Sequence, residues 1–331
     1  MSAQQTTLQS PLASHIGAFL AHKRALGKRL EKGELILHRL DHHLVAQGVT
    51  TLAEVTPERV DAFVRSRPRR CPRSYNGLLG TLRGLFDWLV GQEVFAVSPL
   101  LTPSRRVSPP RRPFLFNAAQ AKRLIEVAAR LPDSPRAPGR GATYRMIFVL
   151  LYGLGLRVGE VSRLCRHDVD VERRLLVIRG TKFGKHRLVP MGPRIMQEID
   201  EYLRWQDAQA RLITPDTPVF SFGHYRQKPI YPNTISYTFH KLLPELALPV
   251  PAGVAPPHLH CLRHSFAVGT LLRWYRAGLD PGARLLYLST FLGHVSPSST
   301  AVYLTITTEL LACASQRFAR FAAPVIQECA P

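Results

Sequence analysis

Acidic residues are scarce in this chain, its cysteines are few and unpaired by spacing, and no long apolar run occurs in it. The 5 cysteines (Cys71, Cys165, Cys261, Cys313 and Cys329) are odd in number and form no Cys-x-x-Cys pair. A disulfide framework is therefore not expected, and a reducing, cytoplasmic compartment fits better. The longest apolar stretch, Ile147 to Leu156, is too short to cross a bilayer, and no charged-then-apolar signal opens the chain, so no membrane association is expected. Internal repeats and low-complexity tracts are absent as well. With 45% hydrophobic residues among 331, the chain can bury a sizeable core, and its length suits two domains better than one.

Against 23 Asp and Glu stand 44 Lys and Arg, a formal net charge of +21. The excess is not a detachable tail: up to Arg112 there are 17 basic and 8 acidic residues, and beyond it 27 and 15. A positive field spread over the whole body favours a large polyanion, DNA or RNA, as partner.

The stretch SPLLTPSRRVSPPRRP, residues 98–113, holds five prolines and four arginines without an apolar period. It reads as an extended linker between two domains, 1–97 and 114–331. Its paired arginines, Arg105–Arg106 and Arg111–Arg112, suit a phosphate backbone or a solvated hinge equally. Before the linker the apolar spacing predicts four helices in a bundle, among them one with Leu35, Ile36, Leu40 and Leu44 and one after Ser74. Five arginines in nine residues (Arg65, Arg67, Arg69, Arg70 and Arg73) lie between the third and fourth and form a candidate phosphate-contacting patch, or a solvated charge run. Beyond the linker the pattern predicts helices over residues 117–131, 143–153, 193–209, 234–243 and 264–277, and a helical tail from Thr300 interrupted at Pro324. Leu175–Arg179 and Arg187–Pro190, flanking GTKFGKH, predict a β-hairpin. The fold class is thus mainly α: an all-α N-terminal bundle, then an α+β domain with a small antiparallel sheet.

Four segments of the second part carry residues suited to one chemistry. They are Gly155-Leu-Arg157-Val-Gly-Glu160, the hairpin with Lys182 and Lys185, His260-Cys-Leu-Arg263-His264, and Leu292-Gly-His294 with Tyr303 beyond it. Phosphodiester transfer without a metal needs guanidiniums to hold a phosphate that gains charge in the transition state. It also needs a nucleophile, which a Tyr hydroxyl can be, and groups such as Lys or His to move protons. Arg157, Arg263, Tyr303, Lys182, His260 and His294 supply all of these. His260 and His264 at i, i+4 could also be read as metal ligands, but the Glu a metalloprotease places between them is missing, and no metal is expected.

GLRVGE, HCLRH, LGH and the following Tyr303 resemble the motifs of the tyrosine recombinase, or phage integrase, family, over about two thirds of the chain from Asn117 onward. The resemblance implies a site-specific DNA recombinase or integrase that cleaves and rejoins DNA through a 3′-phosphotyrosyl link. In it Arg157 and Arg263 hold the scissile phosphate, His260 and His294 hydrogen-bond it, and Tyr303 attacks. Lys182 rather than Lys185 is the general acid, because LVP anchors Lys185 to a non-catalytic family position. Glu160 supports the site, on the same helix face as Arg157. The resemblance further implies no cofactor, neither ATP nor metal, and double-stranded DNA with paired sites as partner. A tetramer on DNA, a core-binding (SAM-like) role for 1–97, nucleoid association and service to a mobile genetic element follow from it too. The stretch Trp274 to Leu288 looks like an insertion relative to compact members. Two other readings stay open: a type IB topoisomerase, and a catalytically inactive architectural DNA-binding protein.

Overall fold

Thr56-Pro57 and Cys71-Pro72 start two of the helices in the first part of the chain. Proline at the first helical position lacks only an amide that would have no partner, and its φ is already helical. The structure, a computed structural model, describes residues 8–28, 30–108, 111–180, 186–209, 213–222, 228–305 and 308–328. It forms two units, Met1–Pro110 and Arg111–Pro331. Among the described residues there are thirteen α-helices and three strands.

The first unit packs α1 (Ala13–Ala25), α2 (Glu31–Ala46), α3 (Pro57–Arg65) and α4 (Pro72–Gly91) around one core. Ile16, Leu40, Leu44, Val60, Leu82, Leu85, Phe86 and Leu89 are fully buried there. The expected stripe on α2 needs one correction: Leu35 is 51% exposed and Leu37 is buried in its place. Positions 37, 40 and 44 fall on one side of a 3.6-residue helix, and 35 falls on the opposite side. The buried Asp41 carboxylate accepts the backbone amides of Gln9 (3.0 Å) and Ser10 (2.8 Å), tacking the incoming chain onto α2. Among its described residues the proline-rich strap forms no helix, and within the first unit it is held at Thr102, whose hydroxyl donates to Asp61 Oδ1 (3.0 Å), and at Arg105. The Arg105 guanidinium lies 3.8 Å from the Tyr75 ring centroid and donates to the Arg69 carbonyl, while its amide donates to Asn76 Oδ1.

The second unit is built on α5 (Ala118–Ala129) and α6 (Arg140–Gly153). Asn117 and Gln120 close a capping box at the start of α5, and α6 buries Tyr144, Ile147, Phe148, Leu150 and Leu151. β1 (Val169–Asp170), β2 (Leu175–Ile178) and β3 (Arg187–Pro190) form an antiparallel sheet in the order β1-β2-β3, with Leu176 opposite Val189 and Ile178 opposite Arg187. The hairpin forms where alternation predicts it; the two-residue β1 is too short to leave a pattern. Then follow α7 (Val158–Ser162), earlier in the chain than the sheet, and α8 (Pro193–Gln209), α9 (Pro232–Leu246), α10 (His260–Arg276) and α11 (Pro281–Leu292). Much of the segment that reads as an insertion is thus α11, opened by Asp280, whose carboxylate accepts the Gly282 amide. The C-terminal segment departs from the expected tail. It comprises α12 (Ser298–Ala301), a 3₁₀ turn (Val302–Thr305) and α13 (Thr308–Glu328), and α13 runs through Pro324. A missing amide removes one ladder bond, which a helix can absorb.

Candidate active site

Gly155 ends the buried helix α6 in a left-handed conformation, φ +60, and a Cβ there would lie 2.6 Å from the Phe266 ring. Only glycine therefore lets the chain turn here and set its carbonyl against α10. Two residues on, Arg157 is the N-cap of α7 rather than a member of it, and Glu160 sits three positions into the turn. The pair does not share a helix face as the spacing suggests; it closes a capping box, in which Glu160 accepts the Arg157 amide (2.9 Å) and its guanidinium (2.8 Å).

Glu160 also takes a forked pair of hydrogen bonds from Arg187, at 2.8 and 2.9 Å. Burial pushes its pKa up, but Arg187 and then Arg157 outweigh that and hold the carboxyl at about 2. Arg187 stands on β3 and donates through Nε to the Phe291 carbonyl. At Gly293, φ +67, a Cβ would meet this guanidinium at 2.7 Å. One half-buried arginine thus ties the hairpin, α7 and the end of α11 together.

The first turn of α10 brings His260, Arg263 and His264 to one side of the helix, by their i, i+3, i+4 spacing. Arg263 is 1% exposed and donates to the Gly155 carbonyl (2.7 Å) and the Leu292 carbonyl (2.6 Å). Its Nε–H is equally buried and finds no partner among the described residues. Arg157 approaches the same corner, donating to the Gly293 carbonyl at 2.9 Å. Burial, followed by Arg157, lowers the Arg263 pKa to about 10, so it stays charged at neutral pH.

Tyr303 lies in the 3₁₀ turn, not on a regular helix, and is 3% exposed. Its ring packs with Leu271, Leu288, Leu292 and Leu310, and its hydroxyl lies 3.0 Å from His264 Nδ1. His294 stacks on Tyr303 with centroids 6.3 Å apart, and its own Nδ1 is 2.6 Å from the buried Thr300 hydroxyl. Burial raises the Tyr303 pKa, against the pull of Arg263 and Arg157. The imidazoles are all held low. His264 and His294 sit at about 4, through burial and then nearby His258 or Arg263. His260 is exposed, yet the protein around it, then His264 and Arg263, hold it at about 3.

The structure thus brings Arg157, Glu160, His260, Arg263, His294 and Tyr303 into one corner of the second unit. Lys182 and Lys185 lie outside the described residues. In the first unit Arg65 pairs with Asp61 at the end of α3, and Arg67, Arg69 and Arg70 occupy the α3–α4 loop, with Arg73 in the first turn of α4. Arg69 and Arg105 meet there, whereas Arg105 has its guanidinium engaged by Tyr75. Arg106 is exposed in the first unit, and Arg111 and Arg112 are exposed in the second. Two residues escape sequence reasoning. Arg187 is one basic residue in a short strand, with nothing to mark it, and His264 is visible at i+4 from His260 but meets Tyr303 across 39 positions.

One buried carboxylate thus faces three guanidiniums, which leaves the corner positive and suited to a phosphodiester. The phage integrase family model matches residues 115–309. The chain is 33% identical over 308 residues to y4rB of Sinorhizobium fredii, named as an integrase/recombinase, covering 91% of this chain and 95% of that protein. It is 34% identical over 174 residues to the tyrosine recombinase XerA of Thermococcus onnurineus, covering 52% and 54%. In fold it is similar to the Tn1549 transposon integrase solved in complex with transposon right end DNA, with a TM-score of 0.61 at 17% identity over 93% of this chain and 99% of that one. The chain belongs to the phage integrase family. It is a tyrosine recombinase, an enzyme that cleaves and rejoins DNA.

Proposed function

We propose that the enzyme recombines specific DNA sites through a 3′-phosphotyrosyl intermediate on Tyr303, without metal or ATP. The observation that carries this reading is the charge at the corner: Arg157, Arg187 and Arg263 around the single carboxylate Glu160, with the buried Arg263 Nε–H unpartnered among the described residues. A scissile phosphate placed there takes the free donors of Arg157 and Arg263 on its non-bridging oxygens, and its growing negative charge in the transition state strengthens both contacts. The Tyr303 oxygen attacks phosphorus and the 5′ oxygen leaves, protonated by Lys182. His260 and His294 hydrogen-bond the phosphate and assist proton movement. The phosphotyrosyl bond replaces a phosphodiester of similar energy, so the reverse attack by a 5′-hydroxyl rejoins the strand.

The same reading makes 1–97 a core-binding domain, with linker 98–113 and catalytic domain 114–331. Arg65, Arg67, Arg69, Arg70 and Arg73, with Arg105, Arg106, Arg111 and Arg112, contact backbone phosphates. The enzyme works as a tetramer on two duplex sites, at the nucleoid, in the service of a mobile element. No helix among the described residues is long and apolar enough to cross a membrane.

Trapping on nicked suicide duplexes made from the DNA flanking the gene tests this. Wild type should form a covalent adduct that mass spectrometry maps to Tyr303, and Tyr303→Phe should bind DNA yet form none. Adduct formation by Tyr303→Phe would mean another nucleophile. Relaxation of supercoiled DNA lacking any specific site would favour a type IB topoisomerase, and DNA binding with no wild-type adduct would favour an inactive architectural protein.

A further inference from the structure

We propose that His264 is the group that takes the proton from the Tyr303 hydroxyl as that oxygen attacks. The inference rests on Tyr303 being the nucleophile and adds the fate of its proton. His264 Nδ1 lies 3.0 Å from the hydroxyl, within direct transfer distance, and Tyr303 is shielded from bulk water, being 3% exposed, while His264 is half-buried. His294, by contrast, has its Nδ1 engaged by Thr300 at 2.6 Å and meets Tyr303 only by ring stacking.

The phenol O–H donates to His264 Nδ1 in the tautomer that leaves this nitrogen without a proton. The His264 imidazole, held at about 4, is neutral at pH 7; with its single proton on Nε2, Nδ1 is free to accept. Burial, then the neighbouring His258 and the Arg263 guanidinium, keep it there. A phosphate entering between Arg157 and Arg263 offsets part of that field, so substrate binding itself makes His264 more basic. In the forward step the phenol O–H bond breaks and its proton forms an N–H bond at Nδ1, giving an imidazolium. The oxygen's electron pair forms the O–P bond, and the P–O5′ bond breaks, its oxygen taking a proton from the general acid. Rejoining reverses each transfer, the imidazolium returning its proton to the departing phenolate.

Single-turnover adduct formation on the nicked duplex, with DNA binding measured alongside, tests the assignment in four proteins: wild type, Tyr303→Phe, His264→Ala and His264→Asn. The asparagine oxygen can accept the hydrogen bond but not hold the proton. Both His264 variants should bind DNA normally and form adduct on the order of 10²-fold more slowly. Replacing Tyr303 by the more acidic 3,5-difluorotyrosine should recover most of that loss in the His264→Ala background. An alanine rate within twofold of wild type would overturn the proposal. So would recovery by asparagine, which would make His264 a positioning residue, or a loss that difluorotyrosine leaves unchanged. Adduct formed by Tyr303→Phe would instead overturn the reading of Tyr303, a separate result.

Discussion

On the proposed mechanism, Arg187 sets how much of Arg157 is left for the scissile phosphate. Glu160 accepts from both, and the forked bond from Arg187 draws most of its charge. Without Arg187 the buried carboxylate would turn wholly to Arg157 and compete with an incoming phosphate. Arg187→Ala should therefore slow adduct formation on the order of 10²-fold, read by suicide-substrate trapping. Glu160→Gln should lower stability by about 3 kcal/mol, read by denaturant unfolding, because it leaves two guanidiniums crowded without their counter-charge. Acid acts through the same residues. His264 and His294, at about 4 against 6.5 when free, bind fewer protons folded than unfolded, so stability falls as pH drops from about 6.5 toward 4. Glu160, at about 2 against 4.5, extends the loss from about 4.5 toward 2. Thermal midpoints of the full chain at pH 7 and pH 5 should show the first of these losses, and His294→Gln should shrink it.

Among the elements, two glycines let helix ends approach one another. Gly155 turns the chain off α6 so that its carbonyl meets Arg263, and Gly293 closes α11 against Arg187. Gly155→Ala adds a left-handed strain of about 1–2 kcal/mol and pushes a methyl into Phe266, so it should lower both stability and adduct yield. Gly293→Ala meets a guanidinium, which can shift, so its larger effect should fall on the adduct rate rather than on the melting temperature. The spacing of apolar residues made most helices and the β2–β3 hairpin legible. It misplaced Leu35 because three neighbouring apolar residues, Leu35, Ile36 and Leu37, offer more than one stripe, and only packing against the other helices of the first unit selects 37.

At the scale of the whole molecule, a net charge of +21 predicts DNA binding that weakens steeply with salt. Arg67→Ala and Arg70→Ala should each reduce the log–log salt slope by about 1, measured by equilibrium binding at several salt concentrations. Arg105→Ala should change the slope less and lower the melting temperature, since its guanidinium also packs on Tyr75 and donates to the Arg69 carbonyl, leaving fewer donors for a phosphate. The order of motifs along the chain was enough to identify the family, because the chain carries its characteristic side chains in recognisable local groups. Whether a given histidine touches Tyr303, and which arginine shares the buried carboxylate, depends on pairs far apart in the chain: 39 positions for His264 and Tyr303, 27 for Glu160 and Arg187. Such contacts leave no local period or spacing, and only the packing of α7, β3, α10 and the 3₁₀ turn decides them.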